Sequence, residues 1–159
     1  MSAKGERPPP VLVEAVERLE AADGLDRPAS LVARAARRVV RPGPLEDALT
    51  GRWLGHALHP LLTDLPIGFW TSTSFLDVVG GRKSRPAATA LLAVGNVAAL
   101  PTAATGLAEW LEADPAARRV GVVHAAANAA GLAFYTASLV ARLRGRAGSP
   151  GGSRAPVRS

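Results

Sequence analysis

The chain contains no cysteine, and this absence excludes several classes of protein. Disulfides, thiolate-bound zinc, cysteine-ligated iron–sulfur clusters and covalently attached haem all require a thiol. Ligands for a metal or a haem iron must therefore come from the three histidines and from carboxylates. No nucleophile constellation, phosphate-binding loop or dinucleotide fingerprint is present in the sequence. We therefore expect that the chain is not an enzyme on its own.

Lysine and aromatic residues are also scarce, whereas arginine is abundant. Only two of the 19 basic residues are lysine, and the 13 acidic residues leave a net charge of +6. The arginines flank apolar segments and do not form one helical face interleaved with aromatic residues, as nucleic-acid-binding helices do. This distribution favours anchoring at anionic lipid headgroups, and we expect no nucleic-acid partner.

Three long apolar segments occupy the middle of the chain, at about residues 61–80, 86–108 and 120–141. The second has 23 residues without a formal charge, and at about 1.5 Å per residue it can cross a hydrocarbon core of about 30 Å. The first carries Asp64 and Asp77 near its ends, where a carboxylate costs less than at the centre. The sequence predicts an all-α transmembrane bundle of three spans, with a soluble three-helix bundle as the alternative.

The flanking regions are polar. Residues 1–10 and the basic tail 143–159 are predicted to be disordered, residues 11–52 to form an amphipathic helical arm, and residues 53–142 to form the membrane domain. The arm should contain two helices, the second of them basic and amphipathic, which indicates contact with a membrane surface or, alternatively, a solvated face. Residues 1–30 lack an apolar core, so we expect no secretory signal peptide.

An alternating path through the membrane should bring the histidines to one face of the bundle. The first span begins just after His56 and His59, the second ends next to Glu109, and the third begins near His124. The candidate metal or haem ligands are His56, His59, Asp64, Glu109 and His124. The neighbouring polar cluster is Thr105, Trp110 and Asn128.

Three interpretations of this cluster remain open. Histidines with carboxylates can bind a divalent metal, and two histidines can ligate a haem b iron axially. Alternatively, His59 with Asp64 and His124 with Glu109 act as structural caps. Acid–base catalysis is the third interpretation.

Other polar residues of the spans lie away from this cluster. We expect Asp77 to pair with Arg82 or Arg85, and Asn96 to bond another helix. Small residues at Gly95, Ala99 and Ala103 should allow close helix packing.

The segments WLGHALHPLLTDLPIGFW, LPTAATGLAEW and RRVGVVHAAANAAGLAFYTASLVAR resemble a bacterial membrane-protein family, domain of unknown function 2231, over about residues 53–142. The resemblance implies a multi-pass protein of the bacterial cytoplasmic membrane but supplies no activity. Some relatives carry Rieske-type or cytochrome domains, which implies a redox setting. The family's characteristic positions would be His59, Pro60, Asp64, Pro66, Gly106, Trp110, His124 and Asn128.

The chain departs from the family pattern at two points. Here His56 is followed by Ala57 where the family has proline, and the fourth helix that is common in the family is not expected. The leading hypothesis is a small membrane subunit whose histidine-lined site binds haem or metal in a redox assembly. The alternative is a non-enzymatic membrane scaffold or assembly protein whose polar cluster only ties the helices together. The expected partners are the lipid bilayer and either a redox protein or further copies of the chain.

Overall fold

The computed structural model describes residues 10–147, and this range is all-α without a strand. Of the segments predicted to be disordered, Pro10 and residues 143–147 are helical. Residues 1–9 and 148–159 lie outside the described residues. Two short 3-10 turns, Asp23–Leu25 and Arg52–Leu54, interrupt the helical arm. The helices are α1 (Pro10–Glu20), α2 (Asp26–Val39), α3 (Pro44–Thr50), α4 (Leu58–Val79), α5 (Gly81–Trp110) and α6 (Pro115–Ala147).

Helices α4 and α5 form a tight antiparallel hairpin, the most extensive interface between helices. The turn is shorter than the sequence indicated, since α5 already begins at Gly81 and residues 82–85 are helical. Gly81 has a φ of 59°, which a glycine adopts without steric cost. The face of α5 toward α4 has the spacing i, i+4, i+7, i+11, i+14, and its residues are buried: Ala88, Leu92, Gly95, Ala99 and Thr102. Gly95 and Ala99 therefore pack as expected, whereas Ala103 is exposed.

Two helices, rather than the expected three, are long and apolar enough to cross a membrane among the residues that the structure describes. They are α5, with a mean hydropathy of 1.5 over its most apolar stretch, and α6, with 1.2. Helix α4 forms as predicted and has 22 residues. Its two aspartates and the polar run from Thr71 to Ser74 lower its hydropathy, and the expectation of three sufficiently apolar helices was wrong on this point.

Helix α6 is attached to the hairpin less extensively than α4 and α5 are to each other. No residue of its most apolar stretch is buried within the described chain. Asp77 on α4 forms a two-bond ion pair with Arg142 on α6, with Arg142 Nη1 3.1 Å from Asp77 Oδ1. The expected pairing of Asp77 with Arg82 or Arg85 was therefore wrong. The partner is 65 residues away in sequence, and it becomes a neighbour only because α6 returns alongside α4.

The arm packs across the end of the bundle where α5 stops and α6 starts. Ala36 and Val40 of the arm form one hydrophobic cluster with Ala108 of α5 and with Leu111, which directly follows that helix. Arg119 of α6 joins the two parts through Asp26, at 2.7 Å and 2.9 Å. This guanidinium lowers the pKa of Asp26, chiefly through the hydrogen bond. The basic helix of the arm is thus docked on protein along one of its faces.

Candidate functional site

The first turn of α4 is held against α5 by His59. Its backbone N–H donates to Glu109 Oε1 at 2.9 Å, so the carboxylate caps a helix N-terminus, where amide groups lack partners and the dipole favours negative charge. The ring Nδ1 lies 2.9 Å from the carbonyl oxygen of Thr102. Since a carbonyl only accepts, Nδ1 carries the proton. The Thr105 hydroxyl donates to the same carbonyl at 2.9 Å.

Gly106 provides the space for the His59 ring. A Cβ at this position would lie 2.7 Å from both Cε1 and Nδ1 of His59. Every larger residue would therefore displace the ring. His59, Thr105, Gly106 and Glu109 form one unit, which we call the His59 node.

The second group of predicted residues lies apart from this node. Asn128 Nδ2 donates to the backbone carbonyl of His124 and to its Nε2, both at 2.9 Å. Nε2 is thus an acceptor, and the proton of a neutral ring sits on Nδ1. Both side chains are exposed. The structure pairs Glu109 with His59, whereas the predicted pairs were Glu109 with His124 and His59 with Asp64.

The remaining candidates are placed separately. His56 lies in the segment before α4 and is exposed, and Asp64 is exposed on α4. Neither side chain has a hydrogen-bonding or ionic partner within residues 10–147. Trp110 is half-buried and donates from Nε1 to the carbonyl of Arg118 at 3.0 Å, which closes the turn between α5 and α6.

The candidate ligands therefore do not converge. Within the described part of the chain, no three side chains of His, Asp or Glu form a group that could hold a metal ion. The geometry gives no support to a metal site within a single chain. It does support a structural role for His59 and Glu109, because each side chain bonds a backbone group of the opposite helix.

Sequence reasoning missed a second node, in the middle of the bundle. The Trp70 ring stacks on Tyr135 with centroids 4.5 Å apart and an interplanar angle of 15°. Its Nε1 donates to Asn96 Oδ1 at 3.0 Å, and Asn96 Nδ2 donates to the Thr136 hydroxyl at 3.3 Å. All three long helices meet here, and Asn96 bonds two of them as expected. We call this group the Trp70 node.

The two nodes share a feature that the sequence carries. The Trp70 ring lies on Gly95, where a Cβ would be 2.8 Å from Cδ1, just as His59 lies on Gly106. The rings are 11 residues apart on α4 and the glycines are 11 residues apart on α5, in reverse order. An antiparallel pair of helices in one register produces this pattern. Matched spacing of rings and glycines is the signal that could have found the second node.

A family comparison agrees with this membrane architecture. The model of a family described as "predicted membrane protein (DUF2231)" matches residues 55–157. The chain belongs to the DUF2231 family. No curated protein and no solved structure matches it.

The DUF2231 match begins just before α4 and includes both nodes and the His124–Asn128 pair. Most of the arm, from α1 to the turn at Arg52–Leu54, lies outside the matched residues. The arm nevertheless packs against the matched region, because it shares a hydrophobic cluster with Ala108 and Leu111.

Proposed function

We propose that this DUF2231 protein is a non-enzymatic helical scaffold of the bacterial cytoplasmic membrane. The observation that carries the proposal is that polar side chains between the helices bond one another or opposing backbone groups. Among the described residues, Arg118 Nε is the single buried side-chain nitrogen or oxygen without a hydrogen-bond partner. A catalytic or cofactor site instead keeps several convergent polar groups available for a ligand.

In this proposal α4 also crosses the bilayer, giving three passes. Helix α4 packs along α5, so it lies at the same depth wherever α5 crosses. Its hydroxyls lose little on leaving water, because they bond carbonyls of the preceding turn: Thr71 to Ile67 at 2.7 Å and Ser74 to Trp70 at 3.0 Å. Asp77 is compensated by Arg142. The hydroxyls of Thr71, Thr73 and Ser74 and the carboxylate of Asp77 are thus already partnered. Asp64 lies within the first two turns of the helix, where a carboxylate costs less than at the centre of the bilayer.

A scaffold needs a surface for a partner, and α6 offers one at His124 and Asn128. Both are exposed, and neither His124 Nδ1 nor Asn128 Oδ1 has a partner within residues 10–147. Lipid tails offer no hydrogen bonds, so polar groups on a membrane helix turn to protein or to water. A second copy of the chain or another membrane helix would satisfy both atoms.

Absorption spectra of the oxidised and reduced protein, purified in mild detergent with metal analysis of the same sample, test this function against the redox hypothesis. We expect no Soret band and no stoichiometric metal. The variant His59→Ala should lower the unfolding temperature, because the bond to Thr102 is lost, without any spectral change. A haem band or bound metal that disappears in His124→Ala would overturn the scaffold proposal.

The partner surface has its own test. Cross-linking in native membranes should trap a complex containing the chain, and His124→Leu with Asn128→Leu should reduce its yield. The matched control is Ala126→Leu with Ala130→Leu, because both positions are exposed on the opposite side of α6. Equal cross-linking of the double variant and the wild type would exclude this surface.

A further inference from the structure

Helix α2 has an exposed apolar surface beside the face that docks it to the bundle. The docked residues have the spacing i, i+4, i+7, i+11 and are buried or half-buried: Ala29, Ala33, Ala36 and Val40. The exposed surface, which we call the apolar strip, consists of Leu31, Val32, Ala35 and Val39. Leu31 is 55% exposed and Val39 is 71% exposed. Contiguous apolar residues left open in this way indicate a contact surface.

An arginine face lies on the other side of the same helix. Its members follow the spacing i, i+7, i+11, and all are exposed: Arg27, Arg34 and Arg38. Arg41 is also exposed and follows just after the helix ends at Val39. None has an acidic partner within the described chain, whereas Arg37 bonds Glu46 at 2.8 Å. Like charges at this spacing repel one another, so the face favours an anionic partner.

The position of α2 along the bundle suggests what that partner is. Helix α2 docks on Ala108 and Leu111, where the uncharged run of residues 86–108 ends. In a bilayer that level is the boundary between hydrocarbon and headgroups. Trp53 lies in the turn Arg52–Leu54 at the end of the arm and is 70% exposed, and tryptophan is enriched at this boundary.

We propose that the apolar strip and the arginine face of α2 together form a docking surface for anionic phospholipids. The strip enters the upper acyl region while the arginines contact headgroup phosphates, as in other interfacial helices. The inference goes beyond the scaffold function and rests only on its membrane placement of α5 and α6. It holds whether or not α6 binds a partner.

The absence of cysteine allows a clean labelling experiment on the full chain. Val39→Cys and, as the matched control, Glu17→Cys on the exposed polar side of α1 are each given an environment-sensitive fluorophore. The labelled proteins are reconstituted into phosphatidylcholine vesicles with and without phosphatidylglycerol, together with a lipid that carries a shallow quencher. Quenching should be stronger at residue 39 than at residue 17 and should increase with phosphatidylglycerol.

The arginines are tested by the triple substitution Arg27→Ser, Arg34→Ser and Arg38→Ser. Each arginine near an anionic surface is expected to change partitioning about fivefold, so the triple variant should lose the response to phosphatidylglycerol. Added salt should weaken the response of the wild type. Since the side chains of these arginines have no partner within residues 10–147, helicity and unfolding temperature should change little. Equal quenching at residues 39 and 17, or the same quenching with and without anionic lipid, would overturn the proposal.

Discussion

A single methyl group at Gly106 tests how α4 and α5 are held together. In Gly106→Ala the new Cβ would lie 2.7 Å from Nδ1 and Cε1 of His59, well inside the optimum of about 3.5–4.0 Å between carbon atoms. The ring must move by about 1 Å to restore that separation. Such a movement disrupts the 2.9 Å bond from Nδ1 to the carbonyl of Thr102.

The magnitude follows from three contributions. Overpacking costs about 1–3 kcal/mol, and the lost hydrogen bond costs about 0.5–1.5 kcal/mol. The helix preference for alanine over glycine offsets about 0.8–1.0 kcal/mol. The free energy of unfolding should therefore fall by about 0.5–3.7 kcal/mol, which at about 2–4 °C per kcal/mol corresponds to a fall in unfolding temperature of roughly 1–15 °C. Circular dichroism in a fixed detergent measures this change.

Two controls decide whether the ring is the cause. Gly68→Ala on α4 places its Cβ more than 4 Å from any neighbour, so it should be neutral or stabilising by up to about 1 kcal/mol. In a His59→Ala background the clash is absent, and Gly106→Ala should no longer destabilise. The reasoning is refuted if Gly106→Ala has the same effect in both backgrounds, because the two residues would then be energetically independent.

Three further changes test the polar contacts. Glu109→Ala should lower the free energy of unfolding by about 0.5–2 kcal/mol, because the backbone amide of His59 loses its acceptor. Glu109→Gln should retain most of the wild-type stability in the same thermal assay. An unchanged unfolding temperature in Glu109→Ala would contradict the cap. Asp77→Asn should destabilise by about 1–3 kcal/mol, since the arginine on α6 loses its ionic partner, and an unchanged unfolding temperature would show that the pair contributes nothing. Asp26 has a pKa lowered below its usual 3.8 by Arg119, so its contribution to docking of the arm is present above that pH and disappears as the pH falls through the lowered value. Proteolysis of the arm against pH measures this, and Asp26→Asn should remove the pH dependence.

The helices could be predicted from the sequence because their signals are local. Helix α4 begins at Leu58 and ends at Val79, close to the expected 61–80. The length and apolarity of α5 and α6 depend on composition alone, and the predicted segments lie within those helices. The number of sufficiently apolar helices was overestimated because α4 carries two aspartates and a run of Thr and Ser. The hydroxyls bond carbonyls of α4 itself and Asp77 pairs with Arg142 of α6, and a hydropathy pattern shows neither compensation.

The polar contacts were less predictable because they depend on register and on the rotation of each helix. Placing Glu109 and His59 at the same membrane level was enough to bring them together, and they are bonded at 2.9 Å. The same argument placed His124 there too, but a level does not specify which way a helix face points. His124 instead bonds Asn128, one turn further along its own helix, and both remain exposed.

The difference between the two interfaces of the bundle has a mechanical consequence. Helices α4 and α5 are in close contact along their length, with two rings seated on glycines, whereas α6 is held by the Trp70 node, the Asp77–Arg142 pair and its contacts with the arm. Removing polar contacts of α6 should therefore release that helix before the α4–α5 hairpin unfolds. In the proposed scaffold, the α4–α5 interface is therefore the stable core. Helix α6, which is held by fewer contacts and carries the exposed His124–Asn128 pair, is the helix that would bind a partner.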